Sequence, residues 1–410
     1  MLTRYTCPNG VRVVLEKIPH VRSAAIGIFV KTGSRHEPPD LNGISHFLEH
    51  MFFKGTESLT AREIAESFDR IGGQVNAFTT KEYTCFYAKV LDNHAIFALD
   101  ILTDMFFNST FDEEELIKEK NVVYEEIKMY EDTPDDIVHD LLTKAIFGNH
   151  PLGYPILGTE DTLATFTKDM LKEYMYNTYT PDKVVISIAG NVDDALIYEV
   201  EKRFGYYEGG KRKENYRKPV FHKDRLIRTK ETEQAHLCIG FKGYAASDQR
   251  IYPLIIVNNI LGGSMSSRLF QEIREERGLA YSVYSYHSAY EDTGTVTIYG
   301  GTAVNQLDIL VETIFKILDD LKQHGVTEKE LENSKEQIKG NLVLSTEGTG
   351  SRMSRNGKNE LLLEEHKSVN EMIQIIDRVT IDEVNDVCRE LFTDQFSLSL
   401  IAPDEARLHI

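Results

Sequence analysis

His46, Glu49 and His50 carry the first chemical signal in the sequence. They stand in GISHFLEHMFFKGT, where Ile44, Phe47, Leu48, Met51 and Phe52 recur at i, i+3, i+4 spacing and predict one apolar helical face. His46, Glu49 and His50 fall on the opposite face. Imidazoles four residues apart are neighbours on a helix and can address one ion. The carboxylate between them is placed to take a proton from an attacking water. Two imidazoles and a carboxylate suit zinc, with a fourth position left open for reaction. The order H-x-x-E-H inverts the commoner H-E-x-x-H zinc motif. Alone it is only moderately specific, because a helix with two solvated histidines and a glutamate matches it equally well.

A third ligand is required, and a helical anomaly supplies a candidate. From Asp112 to Glu131 the stretch DEEELIKEKNVVYEEIKMYE predicts a helix with Leu116, Val122, Val123, Ile127 and Tyr130 on its apolar stripe. Glu119 and Glu126 share that stripe, seven residues or about two turns apart. A carboxylate on a core-facing stripe is unfavourable unless it is paired or bound to a metal. Glu126 is the expected ligand, and Glu119 a neighbour that orients or tunes the site. The alternative is that both pair with basic residues. Glu125, about 100° around the helix from Glu126, reads as solvated.

The elements that must position these residues occur twice. VRVVLE and AAIGIFVKTG predict two strands ahead of the His46 helix, which is expected over about Asn42–Lys54. In the second half AHLCIGFKG and the apolar helix YPLIIVNNILGG follow the same order, at an offset of 213 residues. The acidic helix start FDEEELIKEK is echoed by VTEKELENSKEQIKG at an offset of 215. Each half closes on a strand, VVISIAGNV and SLSLIAP. The pattern predicts an internal duplication and an α+β fold, in which strands and helices mix without strict alternation. The expected domains are 1–210, which holds the metal residues, and 227–410, with a polar linker at 211–226. Only the first half carries the ligand set. At those offsets Asn259, Gly262 and Gly263 stand opposite His46, Glu49 and His50, and Asn341 stands opposite Glu126.

Bulk composition narrows the class. The chain has 410 residues and a formal net charge of −19, which argues against nucleic acid as a partner. No run approaches the roughly 20 apolar residues that span a bilayer, so no membrane role is expected. The N-terminus shows no signal-peptide pattern, and the four cysteines (Cys7, Cys85, Cys238, Cys388) are far apart in sequence. Both features predict a cytoplasmic protein.

These residues resemble the pitrilysin family of inverted-motif zinc peptidases. The similarity is greatest to its branch of mitochondrial-processing-peptidase-like and bacterial processing proteases. It covers essentially the whole chain through GSRHEPPDLNGISHFLEHMFFKGT, GGQVNAFTTKEYTCFYAKV, NHPLGYPILGTEDTL and RLFQEIREERGLAYSVYS. In the family a glutamate some 76 residues past the second histidine completes the site, a position that Glu126 matches, and Glu119 matches an accessory glutamate. The resemblance implies one zinc ion per chain and two homologous domains forming half of a clamp. It also implies that Asn76 and Ala77 hold a substrate backbone and that Glu82 helps to shape the site. The stretch from Gly72 reads as a strand, and at a sheet edge such a strand can accept an extended peptide. In the second half, Arg274 and Tyr281 match a family pair that binds substrate and steadies an oxyanion.

The expected function is therefore hydrolysis of short or unfolded polypeptides, with Glu49 as general base and Glu119 and Tyr281 assisting. A non-catalytic peptide-binding subunit of a processing-peptidase-like complex is the alternative. Such subunits usually lose the motif, whereas every ligand and the base are present here. A purely structural metal site would favour four protein ligands, and the sequence supplies three. No glycine-rich loop of the kind found in the non-catalytic partner subunit is present, so a homodimer is expected.

Overall fold

Strands written almost wholly in apolar and small residues, such as SAAIGIFV and VVISIAG, need cover on both faces. In the computed structural model, which describes residues 2–210 and 217–403, they have it. Residues 211–216 of the expected linker lie outside the described residues. The chain divides into two units. One gathers residues 2–128, 154–210 and 345–366, and the other 129–153, 217–344 and 367–403.

The first unit is built on a six-stranded sheet of β1 (Leu2–Thr6), β2 (Arg12–Lys17), β3 (Ser23–Val30), β4 (Gln74–Thr79), β5 (Thr84–Leu91) and β6 (Val184–Gly190). Its order is β1-β2-β6-β3-β5-β4. The β2–β6 pair is parallel and the other pairs are antiparallel. Helices including Ile44–Met51 and Ala95–Asn108 cover one face, where Ile26, Ile28, Ile186 and Ile188 meet Phe47, Leu48, Leu99 and Phe106. Helix Thr349–Leu362 covers the other, where Phe29, Cys85 and Val185 meet Met353 and Leu361. Ser187 Oγ donates to the Met353 carbonyl at 2.7 Å. A side chain at Gly27 would collide with Met353, its Cβ lying 2.4 Å from the sulfur. The missing side chain at Gly27 leaves the space that the Met353 side chain fills.

The second unit repeats this plan. Its strands are β7 (Arg225–Thr229), β8 (Ala235–Gly243), β9 (Ala280–Ala289), β10 (Gly294–Thr302) and β11 (Phe396–Ala402), in the order β7-β11-β8-β10-β9. This is the first sheet's order without β1, with the parallel pair again at the same place. Helices Ile251–Gly262, Leu307–His324 and Ile381–Leu391 fill one face. Helix Pro134–Phe147 fills the other, and Ser399 Oγ donates to the Val138 carbonyl at 2.7 Å. The α+β class and the repeat are borne out. Each unit also takes one sheet-covering helix from the opposite half of the sequence.

Two local expectations change. The stretch from Gly72 is a hairpin, β4 and β5, rather than one strand. Thr80 closes its turn, with its hydroxyl accepting from the Tyr83 N–H at 3.0 Å. Val122 is exposed, because the buried stripe of helix Glu113–Glu131 runs through Leu116, Glu119 and Val123. Val122 sits one position, about 100°, off that line.

Candidate metal centre

The apolar residues of GISHFLEHM leave its helix no choice of orientation. Ile44, Phe47, Leu48, Met51 and Phe52 are all buried in the first unit's core. The start of the helix is fixed by a distant cap. The buried Glu37 carboxylate accepts from the Gly43 and Ser45 backbone N–H groups at 2.7 and 2.8 Å and from Asn42 Nδ2 at 3.0 Å. This satisfies donors that a helix N-terminus leaves open and places negative charge at the positive end of its dipole. Gly43 has φ +93°, and a Cβ there would lie 2.6 Å from the Leu157 carbonyl oxygen. The stretch PILGTEDTL thus packs against the helix entry as backbone on backbone.

On the open face, His46 Nε2 and His50 Nε2 lie 3.8 and 3.5 Å from Glu126 Oε2. One donor atom from each residue falls within 4.8 Å of the others. Among the described residues this is the one group of three or more His, Cys, Asp or Glu side chains so placed. Ligands about 2.0–2.1 Å from a tetrahedral zinc are roughly 3.4 Å apart, so the Glu126 edges already have suitable lengths. The donor set and its spacing fit zinc. Burial, together with the neighbouring His50, lowers the pKa of His46 to about 3. The imidazole is therefore neutral and able to ligate. Its Nδ1 is buried with no hydrogen-bond partner among the described residues.

His50 and Glu49 each have a support. His50 Nδ1 donates to Glu119 Oε1 at 2.8 Å, leaving Nε2 toward Glu126. Burial resists protonation of His50, but the Glu119 hydrogen bond and the charges of Glu126, Glu119 and Glu49 outweigh it and raise its pKa. Glu119 is itself buried and also meets Lys54 Nζ at 2.5 Å. Glu119 therefore contacts both a candidate ligand and a basic residue. Burial pushes the Glu49 carboxyl up. A hydrogen bond from Thr79 Oγ1, at 2.5 Å to Oε2, and the nearby His50 oppose the rise without cancelling it.

Thr79 ends β4, an edge strand of the first sheet and the strand of Asn76 and Ala77. Asn76 is exposed, and its Oδ1 accepts from the Ala77 N–H at 2.8 Å. Glu82 does not face solvent; it forms a buried ion pair with Arg35 at 2.6 Å. Arg35 and Ser34 also donate backbone N–H groups to Lys81 and Thr80 carbonyls, so GSRHE ties the β4–β5 turn to the segment leading into the metal helix. Arg274 and Tyr281 belong to the second unit. There the Arg274 guanidinium lies 4.5 Å from the centroid of the exposed Tyr281 ring and 4.8 Å from that of Phe270. Phe270–Glu276 is wound as a π-helix, a form frequent at functional sites. The sequence reading missed Thr79, Lys54, Glu37 and Arg35. All four lie in the stretches that carried the resemblance, but none has a spacing that advertises a partner.

Comparison with known proteins adds the following. The family model described as "Insulinase (Peptidase family M16)" matches residues 12–160, and that of the "Peptidase M16 inactive domain" matches 165–338. The uncharacterized zinc protease YmxG of Bacillus subtilis is 67% identical over 98% of both chains. A zinc protease of Streptomyces coelicolor is 41% identical over 99% of this chain and 91% of its own. A crystal structure of a protease from Helicobacter pylori superposes with a TM-score of 0.91, covering 98% of this chain and 99% of that one. At 22% identity this last likeness shows the fold alone. Among the described residues no helix is long and apolar enough to cross a membrane.

Proposed function

The chain belongs to the insulinase family of peptidases, M16, and on that premise we propose that it is a zinc-dependent endopeptidase acting on short or unfolded polypeptides. The observation that carries this reading is the convergence of His46, His50 and Glu126 beside the buried Glu49. The three residues would hold one zinc ion per chain. Zinc, when bound, supplies Lewis acidity toward the scissile carbonyl and the attacking water. Glu49 accepts the water proton and returns it to the leaving amine, a role suited to a carboxyl whose pKa burial has raised. Glu119 keeps the His50 proton on Nδ1 and so fixes the tautomer that ligates. Thr79 holds one oxygen of Glu49 and leaves the other for the proton.

The open edge of β4 supports binding of the substrate as an added strand, with Asn76 and Ala77 along its backbone. Glu82 acts through Arg35, by fixing the turn that follows this strand. Arg274 and Tyr281 are the proposed substrate contacts of the second unit, with the tyrosine hydroxyl donating to the oxyanion. A cytoplasmic homodimer enclosing peptides in a clamp-like chamber completes the reading. The complete set of ligands and base disfavours a non-catalytic subunit. Glu49→Gln tests the proposal: it should retain zinc while hydrolysis of an unstructured peptide falls by about 10²–10⁴-fold. Full activity in that variant would sink it.

A further inference from the structure

We infer that Lys54 is a positioning residue for the metal centre, clamping Glu119 so that the two helices that carry the ligands keep their register. The inference rests on the metal site proposed above. Lys54 follows the His46 helix directly, and its backbone N–H donates to the Met51 carbonyl at 3.1 Å, so its origin is fixed in the last turn. Its ammonium reaches across to Glu119 Oε2 at 2.5 Å, while Glu119 Oε1 takes His50 Nδ1 at 2.8 Å. Both oxygens of one carboxylate on helix Glu113–Glu131 are thus held by His50 on the other helix and by Lys54 in the turn that follows it. Glu126 lies two turns further along the same helix as Glu119. Fixing Glu119 at two points fixes the helix that presents Glu126, and it orients the His50 ring at the same time.

Geometry separates this role from that of a surface ion pair. The Glu119 side chain is 5% exposed, whereas Lys54 is 28% exposed, so the ion pair has one buried end and one end in contact with solvent. Without Lys54 the carboxylate keeps one hydrogen bond and can rotate about its side-chain torsions. The His50 orientation then loosens, as outer-shell losses generally do to a metal site. Among the described residues Lys54 forms its ion pair with Glu119 and none with His46, His50 or Glu126, so its effect on the ligands runs through Glu119.

The test is a zinc titration of metal-free protein against a chromophoric chelator, with folding followed by circular dichroism. Lys54→Met should weaken zinc binding by about 10–100-fold while the fold is retained. Lys54→Arg, which keeps charge and reach, should restore most of the affinity. Lys54→Gln gives the same readout should the methionine variant not fold, and it too should bind zinc more weakly than wild type. Wild-type affinity in a folded Lys54→Met or Lys54→Gln protein overturns the role of Lys54 and leaves the metal site standing. A wild-type protein that takes up no zinc overturns the site and this role with it.

Discussion

Thr79 and Glu49 make a contact that neither residue advertises. Thr79 is one of two adjacent threonines in a strand-forming stretch, yet its hydroxyl is 2.5 Å from the Glu49 carboxylate. Thr79→Val should lower kcat by on the order of 10–100-fold through loss of orientation, with KM and zinc content unchanged. Thr79→Ser should recover most of the rate. Steady-state kinetics beside metal analysis checks this, and a valine variant with wild-type kcat would remove Thr79 from the mechanism. At this scale the candidate ligands were legible because their types and spacing are unusual: two histidines one turn apart, and two carboxylates on an apolar stripe. Lys54, Thr79, Arg35 and Glu37 were not legible. Each acts on a partner that the fold brings near, and a lone lysine or threonine reads as surface.

The elements show how the ligands are held. The metal helix is short, and its geometry is imposed by its buried face and by the Glu37 cap rather than by helix propensity. Helix Thr349–Leu362 is pinned in a comparable way. Its Glu360 receives both a bidentate pair from Arg4 at 2.7 and 2.8 Å and a contact from His366 at 2.7 Å. Arg12 donates to the Glu360 carbonyl at 2.7 Å. Burial opposes ionisation of Glu360, but the His366 and Arg4 hydrogen bonds prevail and lower its pKa to about 2. A depressed carboxyl pKa adds stability above the unfolded value of about 4.3, and that stability is lost as pH falls toward 2. Glu360→Gln should therefore cost on the order of 1–3 kcal/mol near neutrality and progressively less below pH 4. Denaturant melts of both proteins across that window measure it; a difference that does not change with pH would contradict the assignment.

For the molecule as a whole, the consequential feature is the exchange of helices. The face of the first sheet formed by Val14, Phe29, Cys85 and Val185 is covered by residues from beyond 345, and helix Pro134–Phe147 finds its sheet in the other half. Residues 1–210 expressed alone would leave that apolar face bare, a large exposed patch of the kind that drives aggregation. We expect this fragment to lack a cooperative unfolding transition, and co-expression with residues 211–410 to restore one. A soluble, cooperatively melting 1–210 monomer would show that the exchanged helix is dispensable.

The sequence by itself determined the α+β class and the repeat and singled out the candidate ligands and base, because all of these are written in local periodicity and residue type. A helix or strand that must bury one face records it at fixed spacing, and a duplication records it twice. Only the tertiary structure decided that β4 and β5 form a hairpin with β4 at the edge, that Glu119 meets Lys54 and His50 together, and that the halves exchange a helix. An apolar helical face states that it will be buried but not against which sheet. That choice is made by the fit of surfaces far apart in the chain, such as Gly27 beneath Met353, and such fit has no period to read.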